Sequence, residues 1–295
     1  MQIHSDNVWM VAVVVIVQSV GCRANTDAPK GGESSAPTPR AAPPASSIDR
    51  IPELEVPQLE SGAEVKLDGT LNEPCWASAA TTGEFVNVSN GAPNERRDIG
   101  GSARLLWNND ALFVGIEIRD VDIRGDFGKN TVDPHLWTES TAEIMIEPDG
   151  NGDNRDYYEI QIGPQNLTFD SRFDDYNQPR VLPDGPFGHQ EWSAEATRAV
   201  IVNGTLNRSD DRDQGYTVEA RIPWKVFAKA KTIPPRPGDQ WRMNFYAMHN
   251  NGGVAWSPIL GQGNFHRASR FGKVTWAGAT SEKVKNSSAG AGRGP

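Results

Sequence analysis

Three consecutive blocks decide the fold: Glu143-Ile144-Met145-Ile146-Glu147, then Pro148-Asp149-Gly150-Asn151-Gly152-Asp153-Asn154-Arg155-Asp156, then Tyr157-Tyr158-Glu159-Ile160-Gln161-Ile162-Gly163. Side chains alternate across a pleated backbone, so the first block puts Ile144 and Ile146 on one side of a strand and Glu143, Met145 and Glu147 on the other. The last block sets Tyr158, Ile160 and Ile162 against Tyr157, Glu159 and Gln161 in the same way. The middle block is built of Asp, Asn and Gly, which supply turns. If the two strands pair through that turn, Glu143, Glu159 and Gln161 share one sheet face.

The pattern continues in both directions. Ala103 to Trp107 and the alternating Leu112, Val114, Ile116 and Ile118 form a hairpin around Trp107-Asn108-Asn109-Asp110. Further strands are expected over Asn166 to Asp170, Glu195 to Val202, Thr205 to Asn207, Tyr216 to Ile222, Gln240 to Met248 and Phe271 to Trp276. Asn203-Gly204 between two of them is a type I′ hairpin signal. A helix is expected only over Trp224 to Lys231, where Pro223 suits the first turn. Many short strands and almost no helix imply an all-β protein, an antiparallel β-sandwich of immunoglobulin or jelly-roll kind with one short helix.

This domain is expected over residues 58 to 278 of the 295. Before it, the apolar run Val8 to Val17 has the length of a signal-peptide core and is too short to span a bilayer. Small residues ending in Gly21-Cys22 resemble the lipobox of bacterial lipoproteins. That resemblance implies lipidation of Cys22 and an exported protein held on the outer membrane or the periplasmic side; a plain signal peptide would leave it secreted. Residues 23 to 57 hold seven Pro among Ala and Ser, a composition that reads as a disordered linker. Residues 279 to 295, rich in Ser, Gly and Ala, read as a disordered tail.

Charge excludes one class of partner. With 29 Lys+Arg against 38 Asp+Glu, the net charge of −9 has the wrong sign for wrapping nucleic acid. The excess is local: Asp110 to Asp184 carries 17 acids against 6 bases. Such a region is either a solvated face or a site for cations and hydroxyl-rich ligands. Asp149, Asn151 and Asp153 place oxygen ligands at alternate positions with Gly between, as a calcium loop does, and equally as a bare turn does. An EF-hand is excluded because its twelfth position is Ile160. The face carrying Glu143, Glu159 and Gln161, with Trp137 at its rim, suits a sugar: the ring packs on the indole and polar groups take the hydroxyls. An ordinary solvated face gives the same pattern. Many carboxylates also admit a glycosidase, although no Gly-x-Ser-x-Gly elbow, His-Glu-x-x-His helix or phosphate-binding loop is present.

The order of segments resembles the family 9 carbohydrate-binding modules. It opens with Val65-Lys66-Leu67-Asp68-Gly69-Thr70-Leu71-Asn72-Glu73-Pro74-Cys75-Trp76, runs through Arg104 to Val114, Trp137 to Gly150, Tyr157 to Ile160, Gly215 to Trp224, Gly238 to Phe245, Trp256-Ser257-Pro258 and Phe265-His266-Arg267-Ala268-Ser269-Arg270-Phe271-Gly272, and covers roughly residues 63 to 276. The resemblance implies a sandwich that binds carbohydrate without catalysis, often stabilised by calcium and often attached to a glycoside hydrolase, in support of carbohydrate catabolism. It also implies that two Trp rings clamp the sugar beside an acid and an amide. By position these are Trp137, Glu143, and Gln161 or Glu159, while the place of the second Trp holds Phe265 and His266. Trp76, Trp107 and Trp224 fall in the fold signature and are expected in the core. Two further alternatives stand beside this one. A related sandwich superfamily carries haem, for which Met248, His249 and His266 are the available ligands. A structural surface lipoprotein would use the sandwich for protein contacts alone.

Overall fold

A computed structural model describes residues 49–175 and 188–279. The expected signal segment, Cys22, the linker as far as residue 48 and the tail from residue 280 lie outside the described residues. Among the described residues thirteen strands run in chain order: β1 Glu53–Val56, β2 Ala80–Thr81, β3 Val86–Asn87, β4 Ile99–Trp107, β5 Ala111–Asp120, β6 Thr141–Glu147, β7 Arg155–Ile162, β8 Thr168–Asp175, β9 Thr197–Asn203, β10 Gly215–Pro223, β11 Gln240–His249, β12 Gly252–Ala255 and β13 Gly272–Trp276. One sheet has the order β1-β13-β11-β6-β7-β8, with β12 and β3 continuing beyond the far half of β11. The other has the order β2-β4-β5-β10-β9. All pairings between strands are antiparallel except that of β1 with β13.

The two sheets form a sandwich whose core is the inward half of every alternating strand. Ile144, Ile146, Tyr158, Ile160 and Ile162 from the larger sheet meet Leu105, Val114, Ile116, Val218 and Ala220 from the smaller one. At one end Trp107, Trp224, Trp241 and Trp276 lock edge to face, with ring centroids 5.2–6.4 Å apart. That geometry sets the positive edge of one ring on the negative face of the next. Trp76, Trp107 and Trp224 are all buried.

The opening segment is fastened to the outer face of the smaller sheet by one carboxylate. Glu219 on β10 is fully buried and accepts from the backbone N–H of Asp68 at 2.8 Å, from that of Gly69 at 2.6 Å and from Trp76 Nε1 at 3.0 Å. Gly69 has φ +86°, and a Cβ there would come 3.0 Å from Ile201, so the turn that delivers both N–H groups needs glycine. Leu71, Trp76, Leu106 and Phe113 then close a small apolar cluster over that face. Cys75 packs at its margin, where burial pushes the thiol pKa up.

Four local expectations differ from the structure. Residues 53–56 fall inside the Pro-rich stretch expected to be a disordered linker, yet Glu-Leu-Glu-Val alternates, Val56 is buried, and the segment pairs with β13 as an edge strand. Trp224–Val226 forms a single 3₁₀ turn where a longer helix is expected. Residues three apart eclipse in that geometry, so Trp224 and Phe227 both enter the core, and Phe227 ends the turn by leaving the helical region at φ −91° and ψ 65°. Thr205 to Asn207 is not a strand, and Asn203-Gly204 does not close a tight hairpin. The Asp213 carboxylate accepts from Thr205 N at 2.6 Å and Ile123 N at 2.8 Å, which holds 204–214 as a longer loop. No helix among the described residues is long and apolar enough to cross a membrane.

Candidate ligand pocket

The register of the larger sheet builds the floor of a pocket on its outer face. Tyr246 of β11 lies opposite Glu143 of β6, Glu143 opposite Gln161 of β7, and Gln161 opposite Phe169 of β8. The next row carries Asn244, Met145, Glu159 and Ser171. Gln161 Nε2 donates to Glu143 Oε2 at 2.9 Å and to Glu159 Oε1 at 2.6 Å, tying the two acids together. All three side chains are buried, and Glu143 Oε1 and Gln161 Oε1 have no hydrogen-bond partner. Buried acceptors of that kind are rare in a finished structure and mark a place where a donor arrives.

Loops raise the walls. Trp137 stands in a 3₁₀ turn, Leu136–Thr138, whose backbone is tied to the β11–β12 turn by Asn250 N to Glu139 O at 3.2 Å and Asn251 N to Trp137 O at 2.9 Å. Asn250 and Asn251 both take positive φ, which asparagine tolerates. The indole packs edge-on to Phe169 at 5.1 Å and stacks on His135 at 4.5 Å. Across the pocket, Tyr246 Oη donates to Phe265 O, and the two rings lie 4.9 Å apart. His266 sits edge-to-face on Phe173 at 4.7 Å and 3.4 Å from the Tyr157 hydroxyl. This wall is anchored by Asn244, which bonds Ser257 in both directions, and by the close approach of Trp256 to Gly272, where any Cβ would lie 2.4 Å from the indole.

The resulting cavity has a volume of about 280 Å³, and its lining includes Trp137, Glu143, Glu159, Gln161, Phe265 and His266. Every residue that the sequence singles out for a sugar site is thus brought to one place. Phe169, Phe173, Met248, Asn251 and Asn264 complete the lining and are not anticipated as wall residues. The two phenylalanines were accessible to alternation along β8; the two asparagines carry no signal beyond turn composition.

Burial pushes the Glu143 pKa well above the ordinary carboxylate range, reinforced by Glu159, and burial pushes Glu159 up as well. Glu147, on the same face of β6, is raised to about 7 by burial even though Gly152 N donates to both of its oxygens. His266 is lowered to about 4, also by burial. His249 is raised by its hydrogen bond to Asp120. A raised carboxyl keeps its proton in the folded state after the unfolded chain has lost it, so it lowers stability as pH climbs above the unfolded value. A raised histidine contributes stability that is lost as pH rises through its folded value, whereas His266 opposes the trend only below 6.5. Above pH 6.5 all the remaining shifts act together. We expect the melting temperature to fall as the pH rises from there into the mildly alkaline range, and Glu159→Gln to flatten the fall. A melting temperature that rises over this interval would contradict these assignments.

Other polar clusters do different work. Ser140 Oγ donates to Asp120 Oδ2 at 2.6 Å, and His249 Nδ1 lies 3.2 Å from the same oxygen. These are the residue types of a hydrolase triad, but Ser140 is fully buried and bonded to the acid, so the cluster ties β5, β6 and β11 together. It also holds His249 apart from Met248 and His266, so the three candidate haem ligands do not converge; only the latter two line the pocket. In the acidic turn, the Asp149 and Asp153 carboxylates converge on Asn151 Nδ2, at 2.5 and 3.2 Å. Among the described residues no set of three or more His, Cys, Asp or Glu is placed to hold a metal ion, so calcium would draw on Asp149, Asp153 and the Asn151 amide.

A sandwich with an aromatic-walled, acid-floored pocket on one outer face is the architecture of a small-ligand binding module. Residues 67–279 match the carbohydrate family 9 binding domain-like family, and the chain belongs to it. Among solved structures, a proposed carbohydrate-binding protein of Bacteroides uniformis is similar over 77% of this chain and 100% of its own, at 16% identity and a TM-score of 0.58. Structures of a family 9 carbohydrate-binding module from Caldicellulosiruptor kristjanssonii, with cellotriose and with glucose, are similar at 16% and 15% identity and TM-scores of 0.49 and 0.48. Each covers 77% of this chain, and 95% and 97% of its own. No curated protein matches the sequence.

Proposed function

We propose that the chain is a non-catalytic carbohydrate-binding module that takes a poly- or oligosaccharide into the pocket between Trp137 and Phe265. The observation that carries this is the pair of buried, unpartnered acceptors, Glu143 Oε1 and Gln161 Oε1, on a floor enclosed by aromatic walls. A sugar ring has apolar C–H faces for the rings and hydroxyl donors for the acceptors. The cavity lies near the lower end of the roughly 300–1,000 Å³ typical of ligand pockets, space for one or two sugar rings. Hydrolysis is disfavoured by the same acids. A retaining glycosidase needs one carboxylate ionised as nucleophile, whereas Glu143 and Glu159 share one amide and both are raised.

The proposal extends to the parts outside the described residues: a lipid on Cys22 and the Pro-rich stretch would hold the module at the membrane surface, in support of a glycoside hydrolase acting on the same polymer. It also includes a structural calcium ion at Asp149, Asn151 and Asp153. Titration of the full chain against a broad panel of soluble oligosaccharides, with excess calcium and with chelator, is the test. We expect saturable binding to at least one glycan and a higher melting temperature with calcium. Silence across the panel would overturn the binding function, and an unchanged melting temperature would remove the ion.

A further inference from the structure

The pocket floor carries two buried acids, and nothing fixed in the cavity balances them. Among the described lining residues there is neither Lys nor Arg. The one lining base, His266, lies 3.8 Å from Glu159 Oε2, and burial keeps it uncharged at neutral pH. Proteins pair buried carboxyl groups with a cation or hold them protonated, and here Glu143 has no cationic partner while Glu159 has only the half-buried His266, whose pKa is lowered by desolvation. Glu143 Oε1 meanwhile has no partner. Trp137 and Phe265 bring aromatic rings to the cavity wall, and a ring face attracts a cation.

We propose that the preferred occupant is a cationic saccharide, a sugar carrying a protonated amino group, with its ammonium at the carboxyl oxygens that Gln161 does not engage, Glu143 Oε1 first, and its ring against Trp137. This rests on the saccharide-binding reading and narrows it. A neutral sugar's hydroxyls can donate to Gln161 Oε1 and accept from a protonated Glu143 Oε1, which leaves both acids protonated. An ammonium supplies three donors and the missing charge. Its arrival ionises one of the pair, and that carboxyl proton passes to solvent while the ammonium keeps its own. The other titratable groups around the pair are His266, already neutral, and the phenols of Tyr157 and Tyr246. The Tyr246 hydroxyl donates to Phe265 O, and its pKa is raised by burial.

The test is calorimetric titration of the full chain with a glucosamine oligosaccharide, its N-acetylated form, and a glucose oligosaccharide of equal length. Two buffers of different ionisation enthalpy are used at neutral pH. We expect the amine-bearing ligand to bind about tenfold or more tighter than either neutral one, with net proton release. Glu159→Gln, which keeps the shape and removes one acid, is expected to bring the affinity for the amine-bearing ligand down to that for the neutral ones and to abolish the proton release. If a neutral ligand binds equally well or better, this inference falls and the saccharide function stands. If none of the three binds and the wider panel is also silent, both fall. Should the variant fail to fold, the ranking and the proton count of the unsubstituted chain still decide.

Discussion

Replacing Trp137 with alanine is expected to cost the pocket about 2–3 kcal/mol of binding free energy, roughly a 30- to 100-fold loss of affinity for any saccharide it takes. The argument is geometric. The indole is the only tryptophan in the cavity lining among the described residues, and a 3₁₀ turn tied to the β11–β12 turn through the carbonyls of Trp137 and Glu139 holds it in place. A pre-positioned flat ring binds without first paying to be ordered, which concentrates binding energy there. Removing it also strips Phe169 of its edge-to-face partner. The fold survives, because Leu136 rather than Trp137 is the buried residue of that turn. Trp137→Phe is expected to keep most of the affinity, since a smaller ring still offers a face. Titration with the best ligand of the panel decides: Trp137→Ala binding with unchanged affinity would place the sugar elsewhere.

How much of this was readable beforehand depends on which physical rule governed each residue. The acidic part of the floor was readable as a conditional: alternation gives the side of β6 and β7 that each residue faces, and if the turn of Asp, Asn and Gly pairs the strands, Glu143, Glu159 and Gln161 become neighbours, as the register has them. Their burial was not readable. Alternation with polar residues resembles a solvated face, and only the loops from β3 to β13 show that Met145, Tyr157 and Tyr246 build a second apolar layer there. That layer is why carboxyl groups expected in water have raised pKa values. Proline content hid β1, whose two apolar residues are too few to register against the stretch around them. Asp213 and Glu219 left no trace at all, because a carboxylate that accepts backbone N–H groups from a distant segment obeys no local periodicity.

Glu219 gives the largest expected effect on stability. Glu219→Ala would leave Asp68 N, Gly69 N and Trp76 Nε1 without their acceptor, the last two in a buried site. A buried donor left unsatisfied costs about 1–3 kcal/mol, and partial rearrangement of the 68–76 segment recovers some of that, so we expect a loss of about 3–5 kcal/mol in denaturant unfolding. Glu219→Gln separates the contributions. Both backbone donors use Oε2, which an amide oxygen can replace, but the amide nitrogen would then face the Trp76 N–H, donor against donor. We therefore expect Gln to cost less than Ala. Adding Trp76→Phe, which removes the indole donor, should then cost less in the Gln background than in the parent chain, a positive coupling between two residues far apart in sequence. Strict additivity in that cycle would show that the carboxylate does not hold the indole and that the opening segment is fastened by its apolar contacts alone.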